Sequence, residues 1–573
     1  MSKIKKTTRE TKKESKKETK KETKKENKYE ETNSPNPERR KFLAGTGMFL
    51  TSAFAASINT LDQTAQGSAG TKGGRTHGSK GAHFSKDFTP AKLSTDDAVN
   101  ISADYRYHLV AGFGDKVGPG VEVGENADFT VFIPGKNDDH GFLWINNEAF
   151  SHHLVWGKNV TPSQKTKAEV DAERKLVGGT YVELSRKNRK WTPVKDSKNA
   201  FRIDATTPIP LVGPIKKRMI EGTMGNCGGG ITPWGAILTC EENTDEYYSF
   251  ENLDDGFGWN KFYKKNKKDY GWVVEVDPQK KTARKLAALG RFAHEGATVV
   301  AKKGKKVVVY MGEDRRGGAL FKFVSKGTYQ GKPASDKDLL MEGKLFAANL
   351  EVGAWEELSP SHPKLLSNKK TAKKYSDMGS ILEDAADVAK IIGATPLNRA
   401  EDIEVDPKTG DVMIALTNNS KAGDFYGQIL KVSETKDHAD SQTFTHEPYL
   451  VGGPSAGFAC PDNLCYGPDG ALYIATDVSG GSLGHGAMKP FKKNGLFKVE
   501  FDAASRPVAV PVLFCPPEAE VTGPCFSADG STMFVSIQHP GELSFIKSNK
   551  YTSHWPEGKG RPKSTVIAVT RKA

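Results

Sequence analysis

Past residue 100 the chain alternates short apolar runs with polar turns. The runs are four to seven residues long, rich in β-branched and aromatic side chains, and several border Asp-Pro or Pro-Asp-Gly sequences. Such runs predict strands joined by tight turns. Aligned by the residues just after them, six of the runs rhyme. Phe142–Ile145 leads into Asn146-Asn147-Glu148, 234–240 into Glu241-Glu242-Asn243, and Val307–Met311 into Glu313-Asp314. Further on, 412–417 leads into Asn418-Asn419, 471–476 into Asp477, and 533–537 into Gln538-His539. Second runs with a common theme follow at 319–323, 427–432 and 495–499, and the preceding loops also match: 293–296, 399–402, 459–463 and 522–524. A unit of loop, strand, turn, strand and polar loop therefore recurs about six times. Self-similarity on that scale predicts an all-β fold, a six-bladed β-propeller with inserted loops and a few short helices. A β-sandwich with long loops is the rival, but a propeller explains better why the strands end on polar residues, since its inner strands deliver them to one funnel. The one amphipathic helix expected lies around Ser380–Ile392, in an insertion.

The first hundred residues read differently. Residues 1–38 repeat a KKETKKE-like unit with almost no apolar side chain, a composition that cannot offset its own ordering entropy. Residues 1–40 hold 15 Lys/Arg against 8 Asp/Glu, so +7 of the formal +13 sits there. The remainder is only mildly basic and points to no nucleic acid. Arg39-Arg40-Lys41-Phe42-Leu43, a weakly apolar run to Ala56 and a small-residue Ala53-Phe54-Ala55 site resemble a twin-arginine export signal over 39–56. That segment predicts a periplasmic or secreted protein and the twin-arginine export machinery as a partner. Its apolar run is too short for a bilayer, and no stable membrane span is expected. Residues 57–95 read as a flexible linker and 96–573 as the propeller. Six cysteines, from Cys227 to Cys525, are too few for a disulfide scaffold at this length, and the sequence leaves their pairing open. Nothing signals oligomerisation, so a monomer is expected.

The recurring strand ends are acidic. Glu148, Glu241, Glu242, Glu295, Glu313, Asp314, Glu401, Asp402, Asp462 and Asp477 all fall where a propeller would point them at its axis. Carboxylates so gathered raise one another's pKa values, and bound cations relieve the penalty. Calcium, with six to eight oxygen ligands, suits such a ring. The densest motif runs from Asn226-Cys227-Gly228-Gly229-Gly230 to Trp234-Gly235. Its glycines permit close backbone approach, and a thiolate among oxygen donors suits a transition metal such as iron better than calcium. A buried thiol in a tight turn is the plainer alternative.

The Cys227 motif, followed by Leu238-Thr-Cys-Glu241-Glu242, resembles the signature of the PhoX-type alkaline phosphatases. Trp144-Ile-Asn-Asn-Glu148, His294-Glu295-Gly296, Gly312-Glu313-Asp314, Arg399-Ala-Glu401-Asp402 and Pro461-Asp462-Asn463 are similar to further motifs of that family, in the same order. The resemblance runs from about residue 100 to the C-terminus. It implies a six-bladed propeller whose funnel holds two ferric and three calcium ions bridged by an oxo group. By the matching motifs Cys227 and Glu295 would bind iron, while Glu241, Glu242, Glu401 and Asp462 would hold calcium or bridge the cluster. Varying loop lengths leave Asp477 eligible in place of Asp462. Arg399 would bind the substrate phosphate and act in catalysis. Where family members often carry Asn-His-Glu, this chain has Asn147 at the middle position. The implied activity is hydrolysis of small phosphate monoesters. Two other classes fit a calcium propeller: a lactonase or phosphotriesterase without a thiolate ligand, and a non-catalytic binding protein.

Overall fold

The computed structural model describes residues 87–157, 160–248, 256–545 and 550–572. The leader 1–38, the signal segment 39–56 and the linker up to residue 86 lie outside the described residues. The remainder of the segment taken as linker lies against the folded body: Ala91 N–H donates to Pro511 O at 2.8 Å, and the Phe88 ring tilts against Tyr105.

Six mainly antiparallel sheets succeed one another along the chain. Their innermost strands are Ala127–Pro134, Asn226–Ile231, Thr298–Val300, Ala400–Val405, Pro461–Tyr466 and Glu520–Phe526, here numbered blades one to six. Each innermost strand packs beside the next, and the sixth packs back on the first, so the ring is closed. The expected six-bladed propeller is therefore what the chain forms. All six runs that rhyme in sequence are the second strands of their blades, such as His140–Asn147, Ile237–Glu241 and Lys306–Gly312.

Closure is made by joining distant parts of the chain. Tyr105–Gly112 pairs antiparallel with Thr565–Arg571 and forms the outermost strand of blade six. Between blades six and one, Phe132 stacks on Phe534 at 5.5 Å while the buried Trp191 packs edge-on against Phe132. Each such buried aromatic contributes about 2–3 kcal/mol through the surface it removes from water. The blades carry apolar side chains on both faces, which packs every blade against its two neighbours.

Helices are confined to insertions. The single helix expected around 380–392 is two, Met378–Glu383 and Ala385–Ile392, broken at Asp384. Asp377 caps the first by accepting from Ser380 N–H, and the second buries Ala385, Val388, Ala389 and Ile392 before stopping at left-handed Gly393. Lys167–Glu173, Pro363–Leu366 and Lys369–Lys374 are further short helices that the sequence pattern did not signal.

One close approach depends on glycine. A Cβ on Gly228 would lie 1.6 Å from Glu295 O, and one on Gly230 would lie 2.1 Å from Ala297 O. The glycine run thus lets blade two lie directly on 295–297, where Ala297 N–H donates to Gly229 O. Gly228→Ala should push these two blades apart and cost about 3 kcal/mol, the upper range for overpacking. Denaturant unfolding checks this against Gly481→Ala, which enters open space; equal stability of the two variants would refute it.

Candidate metal centre

Within each blade the first strand runs away from the axial opening and the second returns to it, so strand starts and second-strand ends share one face. In five blades the pairing of these two strands slips, at the start of the inner strand in blades one, two, four and five and in the middle of it in blade six. The slips span Ala127/Thr130, Asn226/Gly229, Ala400/Ile403, Pro461/Leu464 and Thr522/Cys525. A bulge of this kind bends the strand and re-aims one side chain. Asp128, Cys227, Glu401 and Asp462 lie inside these irregularities, and each points its donor atom to the axis. Blade three reaches the same place through Glu295, next to the isolated bridge between His294 and Glu313.

The donor atoms form four overlapping groups, each with its members within 4.8 Å of one another: Asp128, Glu148 and Cys227; Cys227, Glu242 and Glu295; Glu295, Glu401 and Asp462; Asp462, Asp477 and Glu520. Sharing Cys227, Glu295 and Asp462 makes them one continuous belt that draws on all six blades. Of the eight carboxylates, six are buried outright and Glu148 and Asp477 are half-buried. The Cys227 Sγ–H donates to Glu295 Oε1 at 2.8 Å, while Glu295 Oε2 and Asp128 Oδ1 are buried without a hydrogen-bond partner.

Electrostatics follow from that crowding. Burial, then the charges of Glu401, Glu242 and Asp462, push the Glu295 carboxyl well above the usual range. Burial first and neighbouring carboxylates second do the same to Asp128, Glu242 and Glu520. Burial raises Glu148 to about 7. Burial and the nearby acids raise the Cys227 thiol too. Such a set holds protons unless cations replace them. Hard oxygen donors without partners, eight carboxylates, and one thiol where two groups overlap fit a site for several cations, one of them thiophilic.

Arg399 is the guanidinium bonded into the belt. Its Nε and Nη2 donate to Asp314 Oδ1 and Oδ2 at 2.7 and 2.8 Å, and Nη2 also lies 2.8 Å from Glu401 Oε1. Burial works against ionisation of Asp314, but the Arg399 charge and hydrogen bonds prevail and hold it below its ordinary value. Arg399 itself sits at φ 60, as does Cys460 at φ 52 in the equivalent place of the next blade. A left-handed backbone at a residue other than glycine costs on the order of 1–3 kcal/mol and is tolerated where the surroundings enforce it.

Of the six residues expected to bind metal, the structure brings five together: Cys227, Glu242, Glu295, Glu401 and Asp462. It does not bring Glu241 to them. Glu241 Oε1 meets Lys285 Nζ at 2.6 Å, both fully buried, and Oε2 accepts from Gly271 and Trp272 N–H. The cause is strand alternation, which sends adjacent residues to opposite faces. The same division separates Asp314 from Glu313, which accepts from Ala319 N–H, and Glu401 from Asp402, which accepts from Ile403 and Leu464 N–H. Asp462 and Asp477 are not alternatives, since both contribute to the fourth group. His294 faces away from the axis, stacked on Phe292 and bonded to Gly290 O. Asn147 is engaged by Thr180 and Arg202. Asn146 clamps the cysteine turn by donating to Cys227 O and Gly228 O. Asp128 and Glu520 were not found from sequence; a carboxylate or thiol at or just before the start of each inner strand is the signal that would have found them. All six cysteines are free thiols.

Comparison with known proteins puts this geometry in context. No curated protein matches the chain. The solved structure of Pseudomonas fluorescens PhoX in complex with vanadate, a transition state analogue, is 27% identical, covers 85% of this chain and 97% of its own, and superposes with a TM-score of 0.75. A protein of unknown function from Dyadobacter fermentans is 11% identical over 82% of this chain and 100% of its own, with a TM-score of 0.35. Residues 86–541 match the family described as alkaline phosphatase PhoX, and the chain belongs to that family of phosphatases.

Proposed function

We propose that this phosphatase is an exported enzyme that hydrolyses phosphate monoesters with a cluster of two ferric and three calcium ions, bridged by an oxo group, in its funnel. The observation that carries the proposal is the continuous belt of eight carboxylates and one thiol. Family membership supplies the reaction class, and likeness to a relative solved with vanadate, a transition state analogue, supports the same chemistry here. Export rests on the Arg39-Arg40 segment. Among the described residues no helix is long and apolar enough to cross a membrane.

Cys227 with Asp128, Glu148, Glu242 and Glu295 would hold the ferric pair, since a thiolate favours a transition metal. Glu401, Asp462, Asp477 and Glu520, with oxygen donors only, would hold calcium. Bound there, the metals would lower the pKa of water and neutralise charge on the phosphoryl oxygens. The chain supplies the rest. Asp314 and Glu401 occupy Nε and Nη2 of Arg399 and so fix the plane of its guanidinium. Arg399 Nη1 has no partner among the described residues and is the donor left for a phosphoryl oxygen, in a planar geometry that lysine cannot reproduce. Asn146 holds the Cys227 turn in place, and Gln538 Nε2 orients Glu148 by donating to its Oε2 at 2.8 Å.

The mature protein should hydrolyse a chromogenic phosphomonoester at alkaline pH, lose activity to a chelator, regain it with calcium, and contain iron. Calcium without iron, and no turnover, would reject the proposal. Arg399→Ala should lower turnover about 100-fold or more, the scale for losing a donor to the transition state, with metal content retained; unaltered turnover would remove Arg399 from the mechanism. Elemental analysis separates the two neighbouring motifs. Cys227→Ser should lose iron, whereas Glu241→Gln should keep its metals yet lose about 3 kcal/mol of stability by leaving Lys285 buried and unpaired. Metal loss from Glu241→Gln would return that residue to the cluster.

A further inference from the structure

Beside Arg399 the propeller face opens into a cleft of about 460 Å³ whose lining includes Arg316, Asn418, Phe425, Asp477 and His485. Arg399 and Asp477 belong to both the cleft and the metal-binding belt, so any molecule whose phosphoryl group meets Arg399 has this cleft for the rest of its body.

The cleft is a built feature. Arg316–Gly318 pairs antiparallel with Leu397–Asn398, with Arg316 opposite Asn398, the residue just before Arg399. Asn398 Nδ2 donates to Asp424 Oδ2 at 2.8 Å and Asn419 Nδ2 donates to Asn398 Oδ1 at 3.1 Å, which ties the loop bearing Asn418 and Phe425 to the same strand. Tyr426 OH donates to Ala487 O at 3.2 Å and joins that loop to the opposite wall, which carries His485.

Two guanidiniums therefore face one cleft, but they are occupied differently. Arg399 is bonded to Asp314 and Glu401. Arg316 is exposed and has no carboxylate, hydrogen-bond or aromatic partner among the described residues, whereas its neighbour Arg315 pairs with Asp245. A cation held by a strand pair, without a counter-charge and next to a phosphate donor, suits a second anionic group on the same substrate. Such a contact is made equally in ground and transition states, so it acts on substrate binding more than on turnover.

We propose that Arg316 makes this cleft a leaving-group subsite selective for phosphate monoesters that carry a second anionic group, a carboxylate or another phosphate, on the alcohol. The inference rests on the phosphatase reading above.

The test compares 3-phosphoglycerate with glycerol 3-phosphate, whose leaving alcohols are similar and which differ in the carboxylate. With the metal-loaded enzyme, kcat/KM should favour 3-phosphoglycerate. Arg316→Ala should lower kcat/KM for 3-phosphoglycerate about tenfold more than for glycerol 3-phosphate, through KM, and Arg316→Glu should reverse the preference. Metal content, measured in each variant, should match the wild type. Equal losses on both esters, or a loss confined to kcat, would overturn the proposal while leaving the phosphatase reading intact. Failure of the wild type to hydrolyse either ester would overturn that reading and this one with it.

Discussion

Eight carboxylates converge on one axis where burial leaves little water to screen them, and the rest of the molecule is arranged around that repulsion. In the unfolded chain each would ionise near its ordinary value of about 4. In the propeller Glu148 is lifted to about 7, and Asp128, Glu242, Glu295, Glu401, Asp462 and Glu520 are displaced upward as well. The axis thus opposes folding at the pH where the site would work. What balances it lies between the blades, where apolar side chains from neighbouring sheets interlock, and in the covalently distant strands that close the ring. The cost is concentrated at the centre and the compensation is distributed around it.

The recurrent bulge solves a geometric problem that regular strands cannot. A straight inner strand alternates its side chains between two blade interfaces and offers none to the axis. Slipping the pairing at the first residues turns one side chain inward in four of the blades, and the glycines after Cys227 give that turn room against Glu295. Arg399 and Cys460 take left-handed backbone at matching points of successive blades for the same reason.

Much of this was legible in the sequence. The second strands announced themselves because an apolar run that stops on Glu or Asp breaks its own pattern, which is how Glu148, Glu242, Asp314 and Asp477 came to notice. The inner strands were harder to read. Asp128 sits within the run Ala127–Pro134 and Glu520 follows a Pro-Pro turn, so neither stands at a visible boundary. Glu241 and Glu242 show the other limit. Alternation says that only one of two neighbours can face the axis, but which one depends on hairpin register, and that is set by Lys285 and the backbone amides of 271–272 on the far side of the sheet. Short helices escaped for a simpler reason: four to seven residues hold too few turns to display a period.

The joining of Tyr105–Gly112 to Thr565–Arg571 has a consequence for the order of events in the cell. On the ribosome the outer edge of blade six, Tyr105–Gly112, is made near the start, while the strand it pairs with, Thr565–Arg571, is made last. Closure of the ring therefore comes late, after nearly the whole chain has been made. A nascent chain stalled short of residue 565 would present a sixth blade with an unfinished seam, a species for chaperones.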